Sequence, residues 1–206
     1  MIKLSPEFDL IARHFTRPAK NAVLGVGDDC ALVDVSNGMD LAVSTDTMVS
    51  GTHFFPDVDP ETLGHKALAV NLSDMAAMGA MPYWATLALT VPDVNHEWLA
   101  KFAKGFFDLA EEFGVSLIGG DTTRGPLTMT VTIMGEVPAG ASLRRSGAKA
   151  GNDIWVSGNL GDAALALAHR RGLLKLAEGD YMEAVMRLYE PIPRVKLGQA
   201  LRGLAT

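Results

Sequence analysis

Between Leu127 and Ile133 the chain alternates without a break: Leu127, Met129, Val131 and Ile133 fall on one side, Thr128, Thr130 and Thr132 on the other. Successive side chains of a strand point to opposite faces, so this segment predicts a β-strand with one apolar and one polar face. Tyr83 to Val91 reads as a second apolar strand and Val115 to Ile118 as a short buried one. Helical signals stand between them. Asp59 and Pro60 open a helix that runs to about Met78 and stops at Gly79, and another spans about His96 to Phe113, closed by Gly114. Near the start, Ser5 as N-cap and Pro6 at the first helical position predict an amphipathic helix through about Phe15. Ala31 to Val35 and Leu41 to Thr45 flank Ser36-Asn37-Gly38, and the Asn-Gly pair supplies the positive backbone angles of a tight hairpin.

From Pro138 to Gly151 the composition shifts to Gly, Ala, Ser and basic residues, which reads as a linker or mobile loop. The expected division is a domain over 1–138 and a second unit over 139–206. Beyond the linker the pattern predicts a strand at Asp153 to Ser157, a helix at about Asp162 to Arg171, and one or two further helices. This segment reads as the opening of a second α/β domain, without the strands needed to bury its helices.

Composition narrows the class of function. The 206 residues are 48% hydrophobic and 20% charged, enough for a sizeable core. With 18 Lys+Arg against 24 Asp+Glu the net charge is −6, which argues against binding driven by nucleic-acid phosphates and against anionic membranes. No apolar run approaches the roughly 18 residues that span a bilayer. A single cysteine, Cys30, cannot form an internal disulfide, and the first residues lack a signal peptide, so a reduced, cytoplasmic setting is expected. Cys30 is expected to be a buried thiol, and the 10 methionines, Trp84 and Trp98 to be core packing.

The chemistry concentrates in aspartates. Short apolar runs pass through small residues into Asp28-Asp29, Asp46 and Asp121, which places carboxylates at strand ends, where α/β folds bind ligands. On the helix after Asp59, Asp74 shares a stripe with Ala67, Asn71 and Met78. Each aspartate has a plain reading as a turn residue or cap. If they converge, hard divalent cations are the natural neutralisers, because Mg²⁺ takes oxygen ligands and bridges carboxylates to phosphates. Ser44, Thr45 and Thr122 would add hydroxyl oxygens. His53 is either a satisfied histidine or a ligand contact from a loop, and Arg144 and Arg145 either a solvated patch or a phosphate clamp. Gly25-Val-Gly27 only begins like a dinucleotide fingerprint, since Cys30 replaces its last glycine and two acids stand where amide donors are needed. No phosphate-binding loop ending in Gly-Lys-Ser/Thr occurs, nor the protein-kinase set, so any phosphoryl transfer requires another scaffold.

Together these segments resemble the thiamine-monophosphate kinase family, part of the superfamily that includes aminoimidazole ribonucleotide synthetase. The resemblance rests on GVGDDCA at 25–31, STDTMVSGTHF at 44–54, KALAVNLSDMAAMGA at 66–80, LIGGDTTRGPLT at 117–128 and RRSGAKAGND at 144–153. It implies an α/β (α+β) fold: an amino-terminal aminoimidazole ribonucleotide synthetase-like domain with a mixed sheet and flanking helices, then the start of a truncated second α/β domain. It implies Mg²⁺-assisted, in-line phosphoryl transfer from ATP to thiamine phosphate, giving thiamine diphosphate. Asp29, Ser44, Thr45, Asp46, Asp74 and Asp121 match the family's magnesium positions, Gly120, Asp121 and Arg145 its ATP contacts, and His53 a thiamine phosphate contact. A homodimer is also implied, its amino-terminal domains pairing through strands, with Leu127 to Ile133 and Tyr83 to Val91 as candidates.

The resemblance further implies a longer carboxyl-terminal domain, so weak or no kinase activity is expected of this chain alone. Two other readings stand beside it. One is a non-catalytic dimerisation and nucleotide-binding module; the other is a different synthetase of the superfamily, such as aminoimidazole ribonucleotide or selenophosphate synthetase.

Overall fold

The computed structural model describes residues 6–205, with side chains from Asp9 onward; the Ser5 cap lies outside the described residues. The alternating segment forms β4 (Thr128–Pro138), which lies inside a four-stranded sheet together with β1 (Met39–Val49), β2 (Met81–Val91) and β3 (Ser116–Arg124). The order is β1-β4-β2-β3. β4 pairs antiparallel with β1 and β2, and β3 joins β2 in parallel. A parallel pair needs a crossover, supplied here by a helix. Met129, Val131, Ile133, Leu87 and Leu89 are buried on one face. On the other, threonines pair across strands, Thr45 with Thr132 at 2.9 Å and Thr47 with Thr130 at 2.8 Å.

α1 (Pro6–His14), α2 (Pro60–Met78) and α3 (His96–Phe113) belong to this body, α2 packing on β1, β4 and α3. Local chemistry sets the ends of the two long helices. Asp59 accepts from the Thr62 amide at 3.1 Å, Asn95 accepts from the Glu97 and Trp98 amides at 3.0 Å, and Gly79 and Gly114 close in the left-handed region. α2 and α3 cross so closely that glycine is required on both: a Cβ on Gly64 would lie 2.0 Å from the Phe102 carbonyl oxygen, and one on Gly105 1.8 Å from that of Glu61. α1 docks through buried Leu10 and Phe15, and His14 Nε2 meets His96 Nδ1 at 3.0 Å with the rings stacked.

Three expectations are corrected. Residues 31–35 do not form a hairpin with β1: Leu32 makes an isolated bridge with Leu24, while the Asn-Gly turn leads into β1 and is held by the Ser36 amide donating to Glu136 at 2.7 Å. β1 is thereby free to pair with β4. The strand expected at 115–118 continues to Arg124, because β2 offers it a parallel partner along that length. Residues 153–157 are not a strand; Ile154 and Trp155 are 96% and 88% exposed, with no neighbouring strand among the described residues. Within the sheet β2 and β4 are the inner strands and β1 and β3 the edges.

After the expected loop, which holds only a short 3₁₀ turn at Arg145–Gly147, come α4 (Asp162–Arg170), α5 (Glu178–Tyr189) and α6 (Val195–Ala200). α4 and α5 pack on one another around Ala166, Ala184 and Val185, while Val195 of α6 joins the main core. Among the described residues no helix is long and apolar enough to cross a membrane.

Two predictions follow from this packing. Gly105→Ala forces a methyl group into the Glu61 carbonyl and is expected to lower unfolding free energy by about 2 kcal/mol or more, read from urea denaturation. Burial, with His96, Arg13 and Arg17 nearby, holds the His14 pKa below its ordinary value of 6.5. The unfolded chain therefore takes up the proton first, and this contribution to stability is full above pH 6.5 and lost as pH falls below it. Hydrogen exchange of α1 amides should accelerate on acidification through that range, and His14→Gln should flatten the dependence.

Candidate active site

β1 has the strict alternation of a strand with one face inward: Ala42, Ser44, Asp46 and Met48 turn in, and Leu41, Val43, Thr45 and Thr47 turn out. The inward face meets α2, where Asp74 is half-buried on the side of the helix nearest the strand. The Ser44 hydroxyl donates to Asp74 Oδ2 at 2.5 Å. Asp46 stands close to the same carboxylate. Burial first, and then the negative charge of Asp74, push the Asp46 pKa up, with His53 partly offsetting them. No lysine, arginine or histidine side chain makes an ion pair with either aspartate among the described residues.

His53 lies in the turn after β1, which Gly51 closes at φ 78° with its amide donating to the Phe54 carbonyl at 2.8 Å. Its Nδ1 accepts from the Val49 amide at 3.0 Å. The accepting nitrogen carries no proton, so the neutral ring holds its proton on Nε2.

Asp29 and Asp121 occupy a different place. Together with Asp28, Gly120, Ile11 and Phe15 they line a cavity of about 630 Å³ along the outer edge of β3. Asp28 Oδ1 caps the Asp29 amide at 2.8 Å. Gly120, at φ 149°, is bound to be glycine: a Cβ there would lie 1.9 Å from the Leu87 carbonyl oxygen. The sheet register relates the two places. Asp46, Val131, Leu87 and Gly120 form one row across the four strands, and Asp121 stands in the next, with Thr47, Thr130 and Ala88.

The structure therefore brings Ser44, Asp46, Asp74 and His53 together, and separately Asp29, Gly120 and Asp121. Among the described residues no three His, Cys, Asp or Glu side chains are close enough to hold one metal ion. The Thr45 hydroxyl bonds Thr132 on the outward face, and Arg145 is exposed in the 3₁₀ turn. Asp46 and Asp121 lie within strands rather than past their ends. Cys30, expected to be buried, is exposed at the cavity, because the segment around it makes only an isolated bridge and never enters the core.

One residue near the site carries no distinctive sequence signal. Lys66, near the start of α2, is half-buried, donates to the His53 carbonyl at 3.4 Å, and has its pKa lowered by burial. It resembles any helix-surface lysine until the loop after β1 is folded over it.

The arrangement has known counterparts. The chain is 53% identical over 205 residues to the thiamine-monophosphate kinase of Escherichia coli (strain K12), covering 97% of this chain and 62% of that protein. The chain thus spans less than two thirds of the length of this curated relative. The crystal structure of thiamine-monophosphate kinase from Stenotrophomonas maltophilia K279a matches with a TM-score of 0.81 at 47% identity, over 95% of this chain and 63% of that one. A structure described as AaThiL complexed with AMPPCP and TMP matches with a TM-score of 0.74 at 27% identity, over 95% of this chain and 61% of that one. Residues 27–137, which contain Asp29, Asp46, Asp74 and Asp121, match the family described as AIR synthase related protein, N-terminal domain, and the chain belongs to that family.

Proposed function

We propose that this chain carries the nucleotide- and cation-binding part of a thiamine-phosphate kinase, which transfers the γ-phosphoryl group of ATP to thiamine phosphate and forms thiamine diphosphate. The observation that carries this reading is the Asp46–Asp74 pair: two facing carboxylates, one hydroxyl and no cationic partner among the described residues. The likeness to thiamine-monophosphate kinases and to a complex with AMPPCP and TMP supports it.

The donor set fits magnesium, which is commonly held by one or two carboxylates while substrate phosphates and water complete the coordination. Asp46 and Asp74, with Ser44, would hold one ion; Asp29 and Asp121 would hold another beside the cavity. Thr45 and Arg145, kept from the resemblance, would reach the site only through the main chain or by movement of the loop. When bound, the metal supplies positive charge between two polyanions that otherwise repel.

The chain's own residues do the rest. The cavity beside β3 has the volume of a nucleotide-sized site, and Gly119-Gly120 lets a phosphate approach the backbone without a side chain in the way. His53, with its proton on Nε2, presents a donor to the acceptor's phosphate. Direct in-line attack demands no general base, because a phosphate monoester is anionic near neutral pH. The domain division at 138/139 belongs to the same proposal, supported by the separate packing of α4 on α5. So does a homodimer, supported by the edge position of β1 with Val43 and Leu41 56% and 44% exposed. A cytoplasmic location follows from the activity.

Calorimetry with AMPPCP in the presence and absence of Mg²⁺ tests the reading, followed by assay of thiamine diphosphate formation. Magnesium-dependent binding is expected; its absence overturns the proposal, and binding without turnover favours the non-catalytic module. Asp46→Asn and Asp121→Asn should each weaken that binding by about tenfold or more. Because ionised Asp46 is disfavoured beside Asp74, Asp46→Asn should also raise the melting temperature in metal-free buffer while shrinking the rise that Mg²⁺ produces.

A further inference from the structure

Among the described residues one fully buried side-chain polar atom has no hydrogen-bond partner: Oδ1 of Asn71. Asn71 is 1% exposed and stands on α2 in the stripe that also carries Ala67, Asp74 and Met78. Its Nδ2 donates to the Ala67 carbonyl at 3.0 Å, one turn back along the helix. That bond fixes the amide and turns Oδ1 away from the Ala67 carbonyl. Its helical neighbours on the buried face, Ala67, Leu68 and Met75, carry no side-chain donor. An amide oxygen buried without a partner is unfavourable, so its retention calls for something that it binds.

The packing brings Asn71 to the carboxylate pair. The Ser44 hydroxyl on β1 bonds Asp74 on α2, and the His53 carbonyl, beyond the end of β1, accepts from Lys66 near the start of α2, so strand and helix run in opposite directions. From Ser44 to Asp46 the strand advances about 6.6 Å, and from Asp74 back to Asn71 the helix covers about 4.5 Å in the same direction. Asn71 therefore falls level with Asp46 and one turn from Asp74.

We infer that the Asn71 carboxamide oxygen is a further ligand of the divalent cation at the Asp46–Asp74 pair, a neutral donor beside two charged ones. The inference rests on the proposed function for the presence of that cation. An amide oxygen is a hard donor suited to the same ions as a carboxylate, but it adds no charge. Asp46 and Asp74 already balance a divalent ion, and a third carboxylate would add repulsion to a pair that has no cationic partner among the described residues. A neutral third donor also accounts for a cation site in which, among the described residues, no three His, Cys, Asp or Glu side chains converge. The remaining coordination positions stay open to water and phosphate oxygens.

Asn71→Leu in the full 206-residue chain tests this, because leucine has nearly the same shape and the Ala67 carbonyl keeps its bond within the helix. In metal-free buffer the variant should melt at or above the wild-type temperature, since the unpaired oxygen is gone. Calorimetric titration with Mg²⁺ should show binding weakened about tenfold or more. Unchanged Mg²⁺ affinity overturns the inference, and a lower melting temperature with unchanged affinity marks the amide as a structural group only. Should Asn71→Leu fail to fold by circular dichroism, or both melt earlier and bind Mg²⁺ more weakly, the wild type decides: the Asn71 side-chain ¹⁵N resonance should shift on addition of Mg²⁺, and a resonance that stays in place overturns the inference. Mg²⁺ binding that ignores Asn71 removes the ligand and leaves the kinase reading intact. Mg²⁺ binding that depends on Asn71, in a chain that binds no AMPPCP, keeps the ligand and removes the kinase reading; no Mg²⁺ binding with or without AMPPCP overturns both.

Discussion

Two carboxylates face each other where β1 meets α2, and the packing around them has to hold them there against their own repulsion. Asp74 accepts from the Ser44 hydroxyl, while burial first and then the charge of Asp74 push the Asp46 pKa up. Around them Leu68, Leu72 and Met75 on α2 are buried, and the β1–β4 ladder fixes Asp46 opposite Val131. A fold that spends stability on holding like charges together is one that gains when a cation arrives.

What the sequence discloses and what it hides divides by range. The ends of α2 and α3 were readable because Asp59, Gly79, Asn95 and Gly114 act within one turn of the helices they bound. β4 was readable because its alternation is continuous. The hairpin at 31–45 was not, because Asn37-Gly38 fixes a turn without fixing a partner, and β1 pairs with a strand about ninety residues downstream. Residues 153–157 have strand-forming side chains and no strand beside them. Propensity cannot supply a neighbour.

The site obeys the same division. Ser44, Asp46 and Asp74 were visible as residue types in suggestive patterns, and the fold joins them. Asp29 and Asp121 were equally visible, and they line the cavity beside β3, which forms only once α1, the 26–31 segment and β3 come together. The resemblance carried Arg145 and Thr45 toward the site; the Thr45 hydroxyl bonds Thr132, and Arg145 is exposed in the 3₁₀ turn. Lys66 opens the 66–80 segment yet stood out in no pattern of its own, since its partial burial comes from the loop after β1.

The glycine crossing of α2 and α3 extends this dependence along the helix. Gly64 and Asp74 are ten residues apart on α2, close to 15 Å at the rise of an α-helix, and a rigid rod transmits any tilt imposed at one end to the other. The bearing of Asp74 on Ser44 thus depends on a contact nearly three turns distant. Sequence drift at that remote seam would act as a lever on the chemistry, so Gly64 and Gly105 carry a constraint that inspection of the pocket walls alone would never disclose.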